Sequence, residues 1–238
     1  MNKHLEAVAK SYNKSIEDGR KGINRYNDLP EHITNHPFYT EYEKLQESVG
    51  QDSQRAEIKT FLSPKPHMKL IDLGCCLNLM FNDYDKWPSL YYGVDISPQT
   101  IDLLEKYIKK ENLKVGGLDC ASIHKLPYHD EKFDIATCIG VLEYFEEDFI
   151  VASIKEIYRV LNSPGRLVLD IPNIDSPVFE INQLIEDHMG RPDLFNISQT
   201  QFEHIIKDYF EVIDKQNVVG MIQYFLVKNK SEVRCHIK

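Results

Sequence analysis

From Met68 onward, short apolar runs alternate with segments long enough to form helices. This alternation constrains the fold more than any other feature. Strands separated by helices pair in parallel, and the helices cover both faces of the sheet. The runs predicted as strands are residues 69–73, 90–94, 114–118, 133–138, 166–171, 210–216 and 221–227. The early ones are apolar almost throughout, as burial on both faces requires. Predicted helices occupy residues 99–110, 149–161 and 198–208. Only a short "NVVG" separates the last two runs, which suits a hairpin and makes the last strand antiparallel. The pattern predicts an α/β chain with a doubly wound, seven-stranded, mostly parallel sheet.

Residues 1–66 read differently. They are polar and rich in Glu, Asn and Tyr. Leu5, Val8, Ala9 and Tyr12 share one helix face, and so do Phe38, Tyr42, Leu45 and Val49. The stretch between them, "DGRKGINRYNDLPEHITNHP", has the glycines and prolines of a loop. A helical N-terminal extension or cap is expected there, ahead of a domain spanning residues 67–238. Residues 173–197 interrupt the alternation with a helical stretch of their own, 178–189, stopped by Gly190 and Pro192. Loops beyond the carboxyl ends of such strands form the ligand crevice, so this insertion reads as a substrate lid or as an extra structural helix.

Charge and composition narrow the partners. The 238 residues carry a formal net charge of -9 and no long Lys/Arg run, so no nucleic-acid partner is expected. No run approaches the ~18 apolar residues of a membrane span. The opening "MNKHLEAVAKSYNKS" lacks the apolar core of a secretory signal. The five cysteines form no C-x-x-C unit, which fits a reducing cytoplasm. Cys75 and Cys76 are adjacent, and neighbours rarely chelate one metal. No histidines stand at zinc spacing, so packing is favoured and no metal is expected.

Four strand ends carry residues with chemistry. They are Asp72-Leu73-Gly74-Cys75, then Asp95 in "YYGVDIS", Asp119 in "GGLDCA", and the run "CIGVLEYF". Gly74 allows a tight turn and a close approach to a ligand. Asp95 follows it by about twenty residues, the spacing at which a carboxylate accepts both hydroxyls of a ribose. Asp119 is placed to accept from an exocyclic amine, with Ile96 and Ile139 beside a flat base. Each aspartate alone reads equally as a helix cap or turn residue. Three in register after three strands point to one crevice.

In this order and spacing the run "GVDIS…FDIATCIGVLEYF…EIYRVLNSPGRLVLDIPN" resembles the class I S-adenosylmethionine-dependent methyltransferases, in their small-molecule branch. The resemblance covers residues 69–173 well and implies a Rossmann-like fold with S-adenosyl-L-methionine as cofactor. It implies that Asp72, Gly74 and Cys75 open the methionine-side loop, Asp95 holds the ribose, and Asp119 with Cys120 reads the adenine. It also implies that residues 139–144, with Ile139 and Gly140, line the cofactor and the methyl-transfer site. The family loop reads D-x-G-x-G-x-G, whereas this chain has Cys76 and Asn78 at the later glycines, so a shifted loop is expected. Tyr39 and Arg25 are candidates to close on the cofactor's amino-acid end. Tyr144, Asn173 and His188 are the catalytic candidates. The partner expected is a small-molecule acceptor methylated on oxygen or nitrogen, in secondary metabolism, by a monomer or homodimer. A non-catalytic cofactor-binding module is the alternative that the altered loop supports.

Overall fold

A computed structural model describes residues 3–50 and 56–230; Cys235 and the side chain of Val49 lie outside the described residues. Four helices come first: α1 (Lys3–Arg20), α2 (Glu31–Thr34), α3 (Tyr39–Gly50) and α4 (Ala56–Leu62). The expected loop between α1 and α3 also holds a 3-10 turn, Arg25–Asp28, beside α2. The alternating part then runs β1 (Lys69–Leu73), α5 (Asn78–Phe81), β2 (Leu90–Asp95), α6 (Pro98–Glu111), β3 (Gly117–Cys120), β4 (Phe133–Cys138), α7 (Glu147–Val160) and β5 (Leu161–Pro172). It closes with α8 (Phe179–Met189), α9 (Gln199–Ile206), β6 (Phe210–Val218) and β7 (Met221–Lys228).

The seven strands form one sheet in the order β3-β2-β1-β4-β5-β7-β6. β7 is antiparallel to both β5 and β6 and lies between them, so β6 forms the margin of the sheet. The chain winds outward in opposite directions from the β1–β4 pair, which makes the carboxyl ends of those strands the switch point where a crevice opens.

Local signals explain the helix ends. Ser97 caps α6 by accepting from Thr100 N, Pro98 pre-sets its first turn, and Asn112 ends it in the left-handed region. Ser198 and Gln201 form a reciprocal capping box on α9. α7 buries Ile150, Ile154, Ile157 and Val160 along one stripe. Losing any of these isoleucines to alanine costs roughly 2–5 kcal/mol.

β3 starts later than its apolar pattern predicts, at Gly117 instead of residue 114. A Cβ on Gly116 would fall 2.2 Å from the Tyr92 ring, and Gly116 N donates to Tyr91 O. The chain is therefore still crossing the Tyr92 ring where the pattern begins. Asp119 consequently pairs with Val94 inside the ladder.

The helical parts outside the sheet pack on each other. Ile33, Tyr42, Val178, Ile181, Ile185 and Met189 make a separate apolar cluster joining α2, α3 and α8. α1 docks elsewhere: Leu5 and Val8 enter the main core beside Leu142, Tyr144 and Phe145.

Candidate active site

The carboxyl ends of β1, β2 and β4 bound a narrow cavity of about 40 Å³. Its floor is Gly74 and Cys76 after β1, Asp95 and Ile96 after β2, and Gly140 and Val141 after β4. Ala121, Ser122 and Ile123 close one side; Val8 and Tyr12 of α1 form the roof. The roof is tied down. The Tyr12 hydroxyl donates to Gly140 O (3.2 Å) and lies 3.0 Å from the Tyr144 hydroxyl, His4 Nε2 meets the Tyr144 carbonyl, and Ser97 Oγ donates to Asn13 Oδ1. A wider cleft of about 700 Å³ shares Tyr12 and Cys76 with this cavity and continues along Ile16, Leu77 and Phe81.

Asp95 is the polar centre. Its carboxylate accepts Cys76 N (2.9 Å) and Ser97 N (2.8 Å). Burial pushes its carboxyl up, and the backbone donors of Ser97, Cys76 and Ile96 oppose that. Gly74 lies at φ +69 and must be glycine, because a Cβ there would meet Val141 Cγ2 at 2.4 Å. The second left-handed residue of this loop is Cys76, at φ +37, not Asn78, which opens α5. Burial, then the Asp95 charge, pushes the Cys76 thiol up to about 12, so it stays protonated.

The structure brings Gly74, Asp95, Ile96, Gly140 and Tyr144 together on this cavity. Other expected residues lie off it. Asp72 is fully buried behind the loop, accepting from Thr137 Oγ1 (2.8 Å), Tyr91 Oη (3.0 Å) and Asn78 Nδ2. Desolvation pushes its carboxyl up to about 7. Cys75 is packed in the core with Leu70 and Leu79, and Ile139 leans on that same cluster. Asp119 turns away to accept the Tyr128 hydroxyl at 2.6 Å, and exposed Cys120 donates to Ile96 O. Asn173 closes its own turn onto Asp175 N, and His188 is exposed near the end of α8. Arg25 pairs with Asp18 at 2.7 Å, and Tyr39 borders a surface hollow with Tyr26 and Tyr42.

A second cavity, of about 150 Å³, shares no lining residue with the first. Tyr26, Tyr42 and Gln46 contribute from the N-terminal segment, and Asn182, Gln183 and Glu186 from α8. Glu143, Asp193 and the β6–β7 turn at Val219–Gly220 complete it. Glu143 and Tyr144 share one 3-10 turn, Leu142–Tyr144, yet Tyr144 lines the first cavity and Glu143 the second. Sequence reading missed Asp193, and it took Glu143 only within the 139–144 run and Val8 only within the helix face of α1. Tyr12 was legible only as part of a helix face whose partner could not be read.

The pattern of charge is unusual. Burial pushes Glu143 well up, reinforced by Asp170, Asp193 and Glu186. Asp193 is pushed up to about 7 by burial and then by Glu186. Tyr144 is pushed far up by burial and then by Glu143, so it is a phenol and a donor. Among the described residues no three His, Cys, Asp or Glu side chains are grouped so as to hold a metal ion. No helix of the described residues is long and apolar enough to cross a membrane.

Comparison with known proteins identifies the fold of this sheet. Residues 71–169 match a family described as a methyltransferase domain. Geranyl diphosphate C-methyltransferase from Streptomyces coelicolor superposes with a TM-score of 0.67 over 95% of this chain and 98% of its own, at 14% identity. This is the class I S-adenosylmethionine-dependent methyltransferase fold. The 1,6-didemethyltoxoflavin-N1-methyltransferase from Burkholderia thailandensis, solved with its acceptor and S-adenosylhomocysteine, shares the fold at a TM-score of 0.57, with 15% identity, covering 84% of this chain and 88% of its own. In sequence, an uncharacterized protein of Methanocaldococcus jannaschii is 32% identical over 123 residues, 52% of this chain and 48% of that one. Such matches span about half the length of the curated relatives, or less.

The first cavity fits the cofactor that this fold implies. A half-buried carboxylate ends β2, apolar Ile96 and Ile123 line the same cavity, and the loop backbone after β1 runs alongside.

Proposed function

We propose that this methyltransferase-fold chain transfers the methyl group of S-adenosyl-L-methionine to an oxygen or nitrogen of a small molecule. The observation that carries the reading is Asp95, a half-buried carboxylate at the switch-point crevice, fixed by two loop N–H groups and facing a cavity roofed by α1. Each of its oxygens keeps a lone pair for a ribose hydroxyl. Ile96 and Ile123 hold the base between apolar surfaces. When bound, the cofactor supplies an electrophilic methyl on a sulfonium, so the protein's task is alignment and exclusion of water. Tyr12 and Tyr144, joined at 3.0 Å, do the latter by sealing the space above Gly140.

In this reading residues 67–238 form the cofactor domain, residues 1–66 cap it, and 173–197 are the acceptor lid. The apolar cluster joining α2, α3 and α8 supports the pairing of cap and lid. A cytoplasmic enzyme of secondary metabolism, monomeric or homodimeric, fits the same reading. The second reading, a cofactor-binding module without turnover, is favoured by the left-handed Cys76 that narrows the cavity.

Calorimetric titration with S-adenosylhomocysteine tests the proposal. Binding is expected in the wild type, and Asp95→Ala should weaken it at least ~100-fold, because two charge-assisted hydrogen bonds go. No binding by the wild type at millimolar ligand would remove both readings. Binding without methyl transfer to any acceptor would favour the module.

A further inference from the structure

The second cavity has a chemistry of its own. Glu143 is half-buried as a residue, but its Oε2 is fully buried and has no hydrogen-bond partner. Asp193 Oδ1 is likewise buried and unpartnered. Glu186, the third carboxylate on the wall, is already neutralised by Arg191, which donates to both its oxygens at 2.8 and 2.7 Å. Among the described residues no lysine or arginine lines the cavity. The other polar walls are Tyr26, Tyr42, Gln46, Asn182 and Gln183. A buried acceptor left unpaired costs the folded protein its full desolvation, and a native site keeps such atoms where a ligand satisfies them.

Resting on the methyltransferase reading, we propose that this second cavity is the acceptor site and that its acceptor is an organic amine, held as an ammonium between Glu143 and Asp193. An ammonium has three N–H donors, enough for both orphaned oxygens and one amide or phenol of the wall. An acceptor that carries a carboxylate or phosphate at this point meets Glu143 and Asp193, while Arg191, the cation beside them, is held by Glu186. Glu143 brings this cavity's wall close to the first cavity. A Cβ on Gly140, a floor residue of the first cavity, would lie 3.9 Å from Glu143 Oε1.

Proton traffic follows from the same groups. Asp170 on β5, Asp193, and Glu186 on α8 all act on Glu143 in the direction that favours its protonated form. Ionised by pairing with the bound ammonium, Glu143 then takes back a proton from it and leaves a neutral amine. The amine's lone pair forms the new N–C bond, and the C–S electron pair returns to sulfur.

The test uses the whole chain saturated with S-adenosylhomocysteine and two matched probe pairs in calorimetry. The amines are 1,4-diaminobutane and 2-phenylethylamine; their counterparts are 1,4-butanediol and 2-phenylethanol. At least one amine should bind about tenfold or more tightly than its alcohol. That preference should disappear in Glu143→Gln and in Asp193→Asn, with thermal unfolding and S-adenosylhomocysteine affinity retained as the control for folding. Equal binding of amine and alcohol, binding of neither, or a preference that survives both substitutions overturns the amine assignment. Intact S-adenosylhomocysteine binding in those cases leaves the methyltransferase reading standing; its loss in the wild type defeats that reading instead.

Discussion

Cys76 offers a measurement in which the sign of the result decides. It lies at φ +37 in the loop between β1 and α5, where the fold's usual loop has glycine. A residue with a Cβ pays roughly 1–2 kcal/mol in the left-handed region, and glycine pays nothing there. At ordinary φ the order reverses, because glycine gives up about 0.5–1 kcal/mol to alanine through the freedom of the unfolded chain. Cys76→Ala and Cys76→Gly both remove the thiol, so the pair isolates the backbone. The glycine variant should be the more stable by roughly 0.5–1 kcal/mol, the difference of those two terms. For a chain of this length that is roughly 1–4 °C in Tm. Circular dichroism melts without cofactor, at one concentration and pH, read it directly. In calorimetry the glycine variant should also bind S-adenosylhomocysteine more tightly than wild type, because the Cys76 side chain is one wall of a cavity of only about 40 Å³. An alanine variant as stable as the glycine variant, or more so, would refute the left-handed loop and the narrowing attributed to it.

Two further outcomes are expected. Tyr12→Phe removes the hydroxyl that meets Gly140 O and Tyr144, so it should cost about 1 kcal/mol in urea unfolding and weaken S-adenosylhomocysteine; no change in either measurement dismisses α1 as a fastened roof. Asp72, raised by burial to about 7, is protonated in the folded protein at pH 5 but ionises near 4 when unfolded. The folded state holds the extra proton, so stability is highest below about pH 4 and falls as pH rises through about 7. Asp72→Asn removes that term, worth up to about 4 kcal/mol. The drop in urea midpoint from pH 5 to 8 should therefore be smaller than in wild type, and equal drops would discard the assignment.

The sheet was legible because its strands are apolar runs broken by helix-length polar segments, a pattern that burial on two faces imposes. The same logic failed at β3, where Gly116 must clear the Tyr92 ring before pairing begins. Site residues were legible where backbone position decides, as with Gly74 and Asp95. Direction of a side chain was not: Asp119 sits on the expected strand but turns to Tyr128, and Asp72 points into the core. Arg25 and Tyr39 depend on how the N-terminal segment folds over the sheet, and a single sequence carries no register for that. Glu143 was hidden in an apolar stretch, where only its three-dimensional neighbours reveal an unpaired oxygen.

Asp95 has one more consequence. By taking the amides of Cys76 and Ser97 together, it acts as a crosstie between two rails of the chain nineteen and two positions away. Neither rail can be re-engineered alone. A change that loosens the turn after β1 also slackens the start of α6, and damage on one side is inherited by the other. Combined substitutions across the tie should therefore fall short of, or exceed, the sum of their separate effects, however far apart they stand in the sequence.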